Sequence, residues 1–377
     1  MSATDPRDLD FMGAALSLAR RGLGNTYPNP SVGCVLVKDG RVIARGWTQP
    51  GGRPHAEANA LAHAQAQAQA HTHAHALAGD AARGATAYVT LEPCAHVGET
   101  PPCANALVAA GIKRVVVAIT DPDPRVAGKG VEILKNAGVE VVEDICQDAA
   151  WRANLGFFLA RTQDRPMFTL KLATDAEGCI PGPDATGDDK WITSPEARAR
   201  GQLLRANHDA VLFGIGTVLS DDPTYTCRLA GLEAQSPVRV LLDSQLRLPT
   251  SSKLLHSLDA SPLWVVCGKD AKGVQALAAL GVTVVQAPTA RPEPAWVARE
   301  LARRGLTRVL IEAGPLIAAA FMDADLVDEV AWFRATKVLG SGCVTALHEK
   351  SMEILAFERQ AVLQAGPDHL ELYTRKV

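Results

Sequence analysis

The sequence predicts two successive domains of the α/β class. Its 377 residues exceed what a single hydrophobic core usually organises and suit two domains. Short apolar runs typical of strands alternate with segments of helical period, a pattern that favours largely parallel sheets covered by helices. A helical and polar stretch over 144–165 interrupts the alternation and ends at Asp164-Arg165-Pro166. We therefore predict a first domain over 1–146, a linker over 147–165 and a second domain over 166–377.

The first domain is predicted to open with an amphipathic helix and a β-hairpin. Leu9, Met12 and Leu16 recur at helical spacing, and Lys38-Asp39-Gly40 supplies a turn between two strand-like runs. Helices and strands alternate after the hairpin, so we expect an α/β sandwich with a mostly parallel sheet. The predicted helices are 7–22, one starting at His55, 103–111 and 128–137, and the predicted strands are 32–37, 41–47, 86–91, 114–119 and 139–142.

The second domain shows the same alternation and is of about the right size to fold alone. Its predicted strands are 167–172, 210–214, 238–243, 263–267, 282–285, 308–312 and 327–333, and its predicted helices are 194–206, 270–280, 294–304 and 315–323.

Residues 62–78 consist almost entirely of Ala, Gln and His. Because Ala and Gln favour helix, we expect an exposed extension of a helix or a tolerated insertion. The alternative is an accessory metal-binding tract. Its candidate ligands are His63, His71, His73 and His75. The last three are spaced by two, which scatters them around a helix and argues against that alternative.

Composition excludes several classes of function. The net charge is -3 and no polybasic run is present, so the sequence does not indicate binding to nucleic acid or to a membrane surface. No stretch is apolar for long enough to span a bilayer, and residues 1–10 lack the apolar core of a signal peptide, so we expect a cytoplasmic protein. In that compartment, eight cysteines are metal ligands or small buried side chains rather than a disulfide framework.

The most specific motif combines His55-Ala56-Glu57 with Pro93-Cys94 and Cys103. One imidazole and two thiolates form a three-ligand zinc set, and a fourth open coordination position is typical of catalytic zinc sites. Glu57 is not needed as a ligand and is predicted to transfer a proton between water and a leaving amine. This combination is the signature of zinc-dependent deaminases. One difference is that eight residues, rather than two, separate the cysteines.

Each part of this motif also has a structural explanation when it is taken alone. A lone His-Ala-Glu is common, Cys94 could be a core residue and Cys103 a loop thiol. The combination favours catalysis over all three. A non-catalytic, zinc-stabilised scaffold is the structural alternative, and it has no use for the unliganded carboxylate of Glu57.

Longer motifs carry a resemblance that covers nearly the whole chain except residues 62–80. In the first domain they are Pro28-Asn29-Pro30-Ser31-Val32-Gly33, Pro54-His55-Ala56-Glu57, Tyr88-Val89-Thr90-Leu91-Glu92-Pro93-Cys94-Ala95-His96, Thr100-Pro101-Pro102-Cys103, Asp121-Pro122 and Val126-Ala127-Gly128. In the second they are Trp191-Ile192-Thr193-Ser194, Gly216-Thr217-Val218, Asp221-Asp222-Pro223 and Glu312-Ala313-Gly314-Pro315. With these motifs the chain resembles the bifunctional deaminase–reductase family of riboflavin biosynthesis.

The resemblance implies a cytidine-deaminase-like α/β/α sandwich followed by an α/β domain similar to dihydrofolate reductase. The first would hydrolytically deaminate a diaminopyrimidinone that carries a ribosylamino 5′-phosphate. The second would reduce the ribose of the product with NADPH, without a Gly-x-Gly-x-x-Gly fingerprint, which this sequence lacks. The cofactors are thus Zn²⁺ and NADPH, the partners are phosphorylated pyrimidines, and a homo-oligomer associated through the reductase domains is expected.

The resemblance also assigns residues. Zinc would be bound by His55, Cys94 and Cys103, with Glu57 as the catalytic residue. Cofactor contacts would come from Ala173, Trp191, Thr217, Asp221, Ser244 and Gly314. Substrate contacts would come from Asn29, Asp189, Arg205, Tyr225, Arg228 and Glu312. From the residues alone, Asn29 is equally compatible with a turn, Gly314 with a plain strand-to-helix turn, the two arginines with solvated surface charges, and Trp191 with an ordinary core.

The chain departs from the family pattern in both domains. Thr48, Glu99 and Asp123 stand where the family usually has a histidine, a basic residue and an asparagine, all within the expected substrate site of the deaminase. Asp175-Ala176-Glu177-Gly178-Cys179 replaces the usual Ser-Leu-Asp-Gly and a basic residue, although Lys171 is retained. An alternative hypothesis is therefore a working deaminase with an impaired or retuned reductase domain.

Overall fold

The computed structural model describes residues 6–71, 81–95, 101–123, 126–182, 192–340, 342–346 and 356–376. The chain divides into two compact units, residues 1–163 and 164–377, each with its own sheet. No helix in these described ranges is long and apolar enough to cross a membrane. The α/β class predicted for both parts of the chain is confirmed.

The first unit is a five-stranded sheet with helices on both faces. Its strands are β1 (Gly33–Lys38), β2 (Arg41–Trp47), β3 (Thr86–Val89), β4 (Arg114–Val117) and β5 (Glu140–Val142). Its helices are α1 (Pro6–Ala19), α2 (Ala56–His71), α3 (Cys103–Ala109), α4 (Lys129–Asn136) and α5 (Gln147–Thr162). The strand order is β2-β1-β3-β4-β5, and the pairs β3–β4 and β4–β5 are parallel, as the sequence predicts.

Two glycines let the first two helices lie close against the hairpin. A Cβ on Gly33 would come within 1.9 Å of the Ala15 carbonyl oxygen in α1, and one on Gly46 within 2.3 Å of the Ala56 carbonyl oxygen in α2. Gly46 pairs with Cys34, the neighbour of Gly33. Because successive positions of a strand face opposite sides, α1 and α2 cover opposite faces of the sheet. This arrangement is the predicted sandwich.

The second unit is built on a nine-stranded sheet. The strands are β6 (Met167–Thr174), β8 (Ala210–Gly214), β9 (Val238–Leu242), β10 (Leu263–Cys267), β11 (Thr283–Gln286), β12 (Arg308–Ile311), β13 (Val327–Arg334), β15 (Phe357–Ala365) and β16 (Asp368–Arg375), with β7 (Cys179–Ile180) and β14 (Val344–Thr345) forming a separate pair. The helices are α6 (Pro195–Ala206), α7 (Ile215–Asp221), α8 (Val274–Ala279), α9 (Pro294–Arg303) and α10 (Pro315–Asp323). The strand order is β11-β10-β9-β8-β12-β6-β13-β16-β15. Neighbours from β11 to β13 are parallel, and β16 is antiparallel to both β13 and β15.

Several elements differ from the sequence prediction. The stretch predicted to belong to a linker is largely α5, whose Phe157 and Phe158 belong to the core of the first unit. The short α7 was not predicted, because it follows a strand directly and contains Gly216. The hairpin β15–β16 was missed because most side chains of β15 are exposed, so its sequence shows no buried alternation.

Candidate functional site

The three predicted metal ligands converge in the first unit. His55 immediately precedes α2, Cys103 is the first residue of α3, and Cys94 lies in the loop that follows β3. His55 Nδ1 is 3.7 Å from Cys94 Sγ and 3.4 Å from Cys103 Sγ. The ligand atoms all lie within 4.8 Å of one another. Two helix starts and a strand end therefore bring together residues that are up to 48 positions apart.

This geometry fits a zinc ion. With Zn–S near 2.3 Å and Zn–N near 2.1 Å, a tetrahedral site separates its sulfur and nitrogen ligands by about 3.6 Å, between the two observed distances. The donor set of one imidazole and two thiols also matches the preference of zinc for nitrogen and sulfur ligands. Within the described residues no other group of three or more such side chains meets the same criterion.

The two cysteines share hydrogen bonds that favour a thiolate. The backbone N–H of Cys103 donates to Cys94 Sγ over 3.3 Å. The pKa of Cys94 is lowered to about 4, mainly because the Cys103 side chain hydrogen bonds to it, with His55 acting in the same direction. The same shared hydrogen bond, together with burial, raises the pKa of Cys103. One negative charge is therefore stabilised between the two sulfurs, and a bound metal ion would favour loss of the second thiol proton.

Glu57 lies in the first turn of α2 and is not part of the ligand group. Its side chain is only 4% exposed. Burial raises the pKa of Glu57 to about 7, and the charge of Cys94 acts in the same direction. A carboxyl group that titrates near neutral pH can both accept and donate a proton, which is the property of a general acid–base residue.

A cavity of about 380 Å³ opens beside the ligand group. Its walls include three positions that the sequence assigned to the substrate region, Asn29, Thr48 and Asp123. Glu99 lies outside the described residues. Four further polar or aromatic residues that line the same cavity were not predicted from the sequence. They are Glu92, Asp121, Phe157 and Arg161.

Asn29 is held against the cavity by a close backbone approach. A Cβ on Gly52 would lie 2.0 Å from Asn29 Nδ2, and Gly52 has a φ of +82°, which disfavours any other residue. The loop that carries Asn29 is also fixed to α5, because Asn154 Oδ1 accepts from the Ser31 N–H over 2.8 Å. Asn154 Nδ2 donates to the Ser31 carbonyl oxygen over 3.1 Å. Asn29 therefore has a fixed position at the cavity and does not lie on a mobile turn.

The loop that follows β4 is organised by one buried carboxylate. Glu92 Oε2 accepts from the N–H groups of Asp121 and Gly128 over 3.1 and 3.0 Å. Glu92 Oε1 accepts from the Gly130 N–H over 2.8 Å. Glu92 follows β3 and this loop follows the parallel neighbour β4, so both lie at the carboxyl edge of the sheet, where α/β proteins bind ligands. Through these bonds Glu92 fixes the segment that brings Asp121 and Asp123 to the cavity.

In the second unit four charged or polar side chains form one cluster. Glu312 follows β12, and its carboxylate is 2.6 Å from Arg205 Nε and 3.2 Å from Lys171 Nζ. The Tyr225 hydroxyl donates to the Glu312 carbonyl oxygen over 3.1 Å. Although burial opposes ionisation, the charges of Arg205 and Lys171 hold the pKa of Glu312 at about 2. The predicted substrate residues Arg205, Tyr225 and Glu312 therefore meet, and Lys171 joins them.

The other predicted residues of this unit lie at one edge of the sheet or outside the cluster. Ala173 lies near the end of β6, Thr217 and Asp221 lie on α7 after β8, Ser244 follows β9, and Gly314 caps α10 after β12. Because these strands are parallel, their carboxyl ends share one edge. Arg228 is exposed and contacts Thr224 rather than the Glu312 cluster. Asp189 and Trp191 lie outside the described residues.

The segment 175–179, which departs from the family pattern, forms an ordered turn after β6. Asp175 Oδ1 accepts from the N–H groups of Glu177 and Cys179 over 2.9 and 2.8 Å. Its Oδ2 accepts from the Leu339 N–H over 2.9 Å. Gly178 has a φ of +86°, which suits the turn. Asp175 therefore stabilises the loop through backbone hydrogen bonds, and this change in the family pattern preserves a defined conformation.

Two family models match this chain. Residues 6–119 match the cytidine and deoxycytidylate deaminase zinc-binding region, and residues 172–370 match the RibD C-terminal domain. The first match spans the metal ligands and Glu57, and the second spans the Glu312 cluster. The two kinds of domain predicted from the sequence thus occur in the predicted order.

Relatives extend over nearly the full length. The riboflavin biosynthesis protein RibD of Aquifex aeolicus is 40% identical over 370 residues, covering 98% of each chain. The Escherichia coli protein of the same name is 36% identical, covering 96% of this chain and 98% of its own. A solved structure of Acinetobacter baumannii RibD shares 39% identity at a TM-score of 0.84, covering 98% of this chain and 99% of its own. The chain belongs to the RibD family of riboflavin biosynthesis proteins and is a bifunctional enzyme that combines a zinc-binding deaminase domain with a reductase domain.

Proposed function

We propose that the first unit hydrolyses the amine of 2,5-diamino-6-ribosylamino-4(3H)-pyrimidinone 5′-phosphate. We propose that the second reduces the ribosyl chain of the product, 5-amino-6-(5-phosphoribosylamino)uracil, with NADPH. The observation that carries the proposal is the convergence of His55, Cys94 and Cys103 beside Glu57 at one cavity. A Thermotoga maritima structure described as a diaminohydroxyphosphoribosylaminopyrimidine deaminase and 5-amino-6-(5-phosphoribosylamino)uracil reductase supports it, with 34% identity and a TM-score of 0.83.

In the deaminase, His55, Cys94 and Cys103 would hold zinc, which supplies Lewis acidity that makes a water molecule a better nucleophile near neutral pH. Glu57 removes a proton from the attacking water and later delivers one to the departing nitrogen. Water adds to the carbon that bears the amine, the carbon–nitrogen bond breaks, and ammonia leaves. Asp121 and Asp123, which line the cavity, can accept hydrogen bonds from amino groups of the pyrimidine.

In the reductase, the nicotinamide cofactor would supply a hydride to the sugar. Glu312 holds Arg205 and Lys171 side by side, so two cations are presented at the edge where Ala173, Ser244 and Gly314 lie. Arginine suits a sugar phosphate because its planar fork can donate two parallel hydrogen bonds. We propose that this cluster binds the phosphorylated sugar beside the cofactor and that the enzyme prefers NADPH over NADH.

Glu57→Gln tests the deaminase mechanism. We expect the variant to retain one zinc per chain and to lose ammonia release by about a hundredfold or more, because general acid–base catalysis contributes about 10²–10⁴-fold. Ammonia release from the phosphorylated pyrimidine and zinc content are the two measurements. Glu132→Gln, an exposed carboxylate on α4, is the control and should behave as the unaltered chain. Undiminished ammonia release by Glu57→Gln would show that the assigned proton transfer is wrong.

The reductase half is tested with the same preparation. Consumption of NADPH should begin only when the deaminated ribosylamino phosphate is present. An active deaminase that consumes no NADPH with this substrate would instead support the hypothesis of an impaired reductase. We also propose that the chain forms a homo-oligomer and is cytoplasmic, and sedimentation of the full chain tests the first of these.

A further inference from the structure

One face of α5 forms a wall of the deaminase cavity. Phe157 and Arg161 are four positions apart, which places them on the same side of the helix, and Asn154 lies just before them at a break in its backbone, with φ of -115° and ψ of 16°. Phe157 and Arg161 both line the cavity that contains His55 and Glu57. Neither residue belongs to the metal ligand group or has a part in the proton transfer. The contribution of α5 to this site is therefore neither metal binding nor proton transfer.

The position of this helix face is fixed. Asn154 is buried and exchanges two hydrogen bonds with the backbone of Ser31. Phe157 and Phe158 pack edge to face, with ring centroids 5.8 Å apart, in the core of the first unit. The backbone that carries Arg161, one turn beyond Phe157, is therefore anchored beside the cavity, while the Arg161 side chain is exposed.

The guanidinium of Arg161 is oriented and accessible for binding an anion. Its guanidinium lies over the Phe157 ring, 5.2 Å from the centroid, a contact that restricts its orientation while its donors stay accessible. Within the described part of the chain no carboxylate forms an ion pair with it. Its charge acts on Asp121 across the cavity. An arginine that is stacked but not paired loses little conformational freedom when an anion binds.

Arg53, the other arginine among the described residues that line the cavity, is placed differently. Arg53 lies two residues before His55, and its charge acts on that imidazole, so it belongs to the metal end of the cavity. The reacting amine must sit at that end, beside Glu57. The phosphate of the substrate is attached through the ribose, away from the reacting carbon. Of the two arginines, the one contributed by the separate α5 wall is therefore suited to the phosphate.

We propose that Arg161 binds the 5′-phosphate of the pyrimidine in the deaminase site and makes that site selective for phosphorylated over unphosphorylated substrate. This inference rests on the proposed deaminase function and adds the residue that recognises the phosphate. The guanidinium donates charge-assisted hydrogen bonds to phosphate oxygens, while Phe157 keeps its plane in place. Arg161 is a binding residue, since proton transfer remains with Glu57.

The test is a comparison of Arg161→Gln with Arg152→Gln, an exposed arginine nearer the start of the same helix that does not line the cavity. For the phosphorylated pyrimidine we expect Arg161→Gln to raise KM by about ten- to a hundredfold, the loss typical of a hydrogen bond to a charged group, with kcat nearly unchanged. For the dephosphorylated pyrimidine, kcat/KM should be the same in both variants. Inorganic phosphate should inhibit the unaltered chain competitively and inhibit Arg161→Gln more weakly.

The outcomes separate the two proposals. Equal KM values for the phosphorylated pyrimidine in the two variants, with an active unaltered chain, would overturn the role of Arg161 and leave the deaminase intact. No ammonia release by the unaltered, zinc-loaded chain would overturn the proposed function itself. Arg161→Lys keeps the positive charge but loses the planar guanidinium. Its KM should therefore lie between those of Arg161→Gln and the unaltered chain. If the KM of Arg161→Lys is as high as that of Arg161→Gln, and Arg161→Gln also slows deamination of the dephosphorylated pyrimidine, Arg161 has a structural role and the inference is wrong.

Discussion

A single buried carboxylate organises much of the deaminase cavity. Glu92 is 5% exposed and accepts hydrogen bonds from four backbone N–H groups that follow β4, those of Asp121, Gly128, Gly130 and Val131. Gly130 allows this approach, because a Cβ there would lie 1.9 Å from the Pro93 carbonyl oxygen. Each of these N–H groups would otherwise need another partner inside the protein, which makes the charge of Glu92 structural rather than catalytic.

Glu92→Gln should destabilise the first unit by about 2–4 kcal/mol. The amide has one acceptor oxygen in place of two and turns N–H donors towards backbone donors, so buried N–H groups lose their partners. We expect a higher KM as well, because Asp121 and Asp123 would no longer be held at the cavity. Denaturant unfolding and steady-state deamination measure the two effects. The exposed Glu140→Gln is the control, and a stability loss no larger than in that control would contradict this role.

At the scale of elements, α5 shows where sequence reasoning fails. Its polar composition and the punctuation at Asp164-Arg165-Pro166 predicted a connection outside both domains. Two facts that link distant parts of the chain decide otherwise: Phe158 is fully buried in the first core, and Asn154 bonds to a residue 123 positions earlier. Such contacts leave no local pattern.

Asn154→Ala tests the attachment of α5 to the substrate loop. The change leaves the buried N–H and carbonyl groups of Ser31 without their side-chain partners, so we expect a stability loss of about 1–3 kcal/mol. KM for the phosphorylated pyrimidine should rise, because both the loop of Asn29 and the wall carrying Arg161 lose a shared anchor. Asn136→Ala, at an exposed position of α4, is the comparison. Identical unfolding midpoints for the two variants would mean that α5 is held by its aromatic residues alone.

At the scale of the whole molecule, the sequence predicted more of the metal centre than of the cavity around it. His55, Cys94 and Cys103 are chemically distinctive, and each lies where a helix starts or a strand has ended, so their types and spacing suffice. The walls depend on Glu92, Asp121 and Phe157, residue types that are common in any core or loop. Their role follows from sheet order and helix docking, which are set by contacts across the fold rather than by local sequence.

The second unit carries a buried imidazole that its fold keeps neutral. His208 follows α6, donates from Nδ1 to the Leu204 carbonyl oxygen over 2.6 Å, and has Nε2 2.9 Å from the Thr169 hydroxyl. Burial lowers the pKa of His208 to about 3, and the charge of Arg308 acts in the same direction. In the unfolded chain the pKa is near 6.5, so the unfolded state binds the proton first as pH falls.

Because of His208, we expect the stability of the reductase unit to fall in acid. Its full contribution is present above about pH 6.5 and declines by roughly 1.4 kcal/mol per pH unit as pH falls towards 3. Glu312, with a folded pKa of about 2, adds a second loss that begins below about pH 4.5. In His208→Gln the free energy of unfolding should fall less steeply between pH 6.5 and 5, whatever the variant loses at neutral pH. His256→Gln, which removes an exposed imidazole, is the control. Equal slopes in denaturant titrations of the two variants would show that the buried imidazole does not control acid stability.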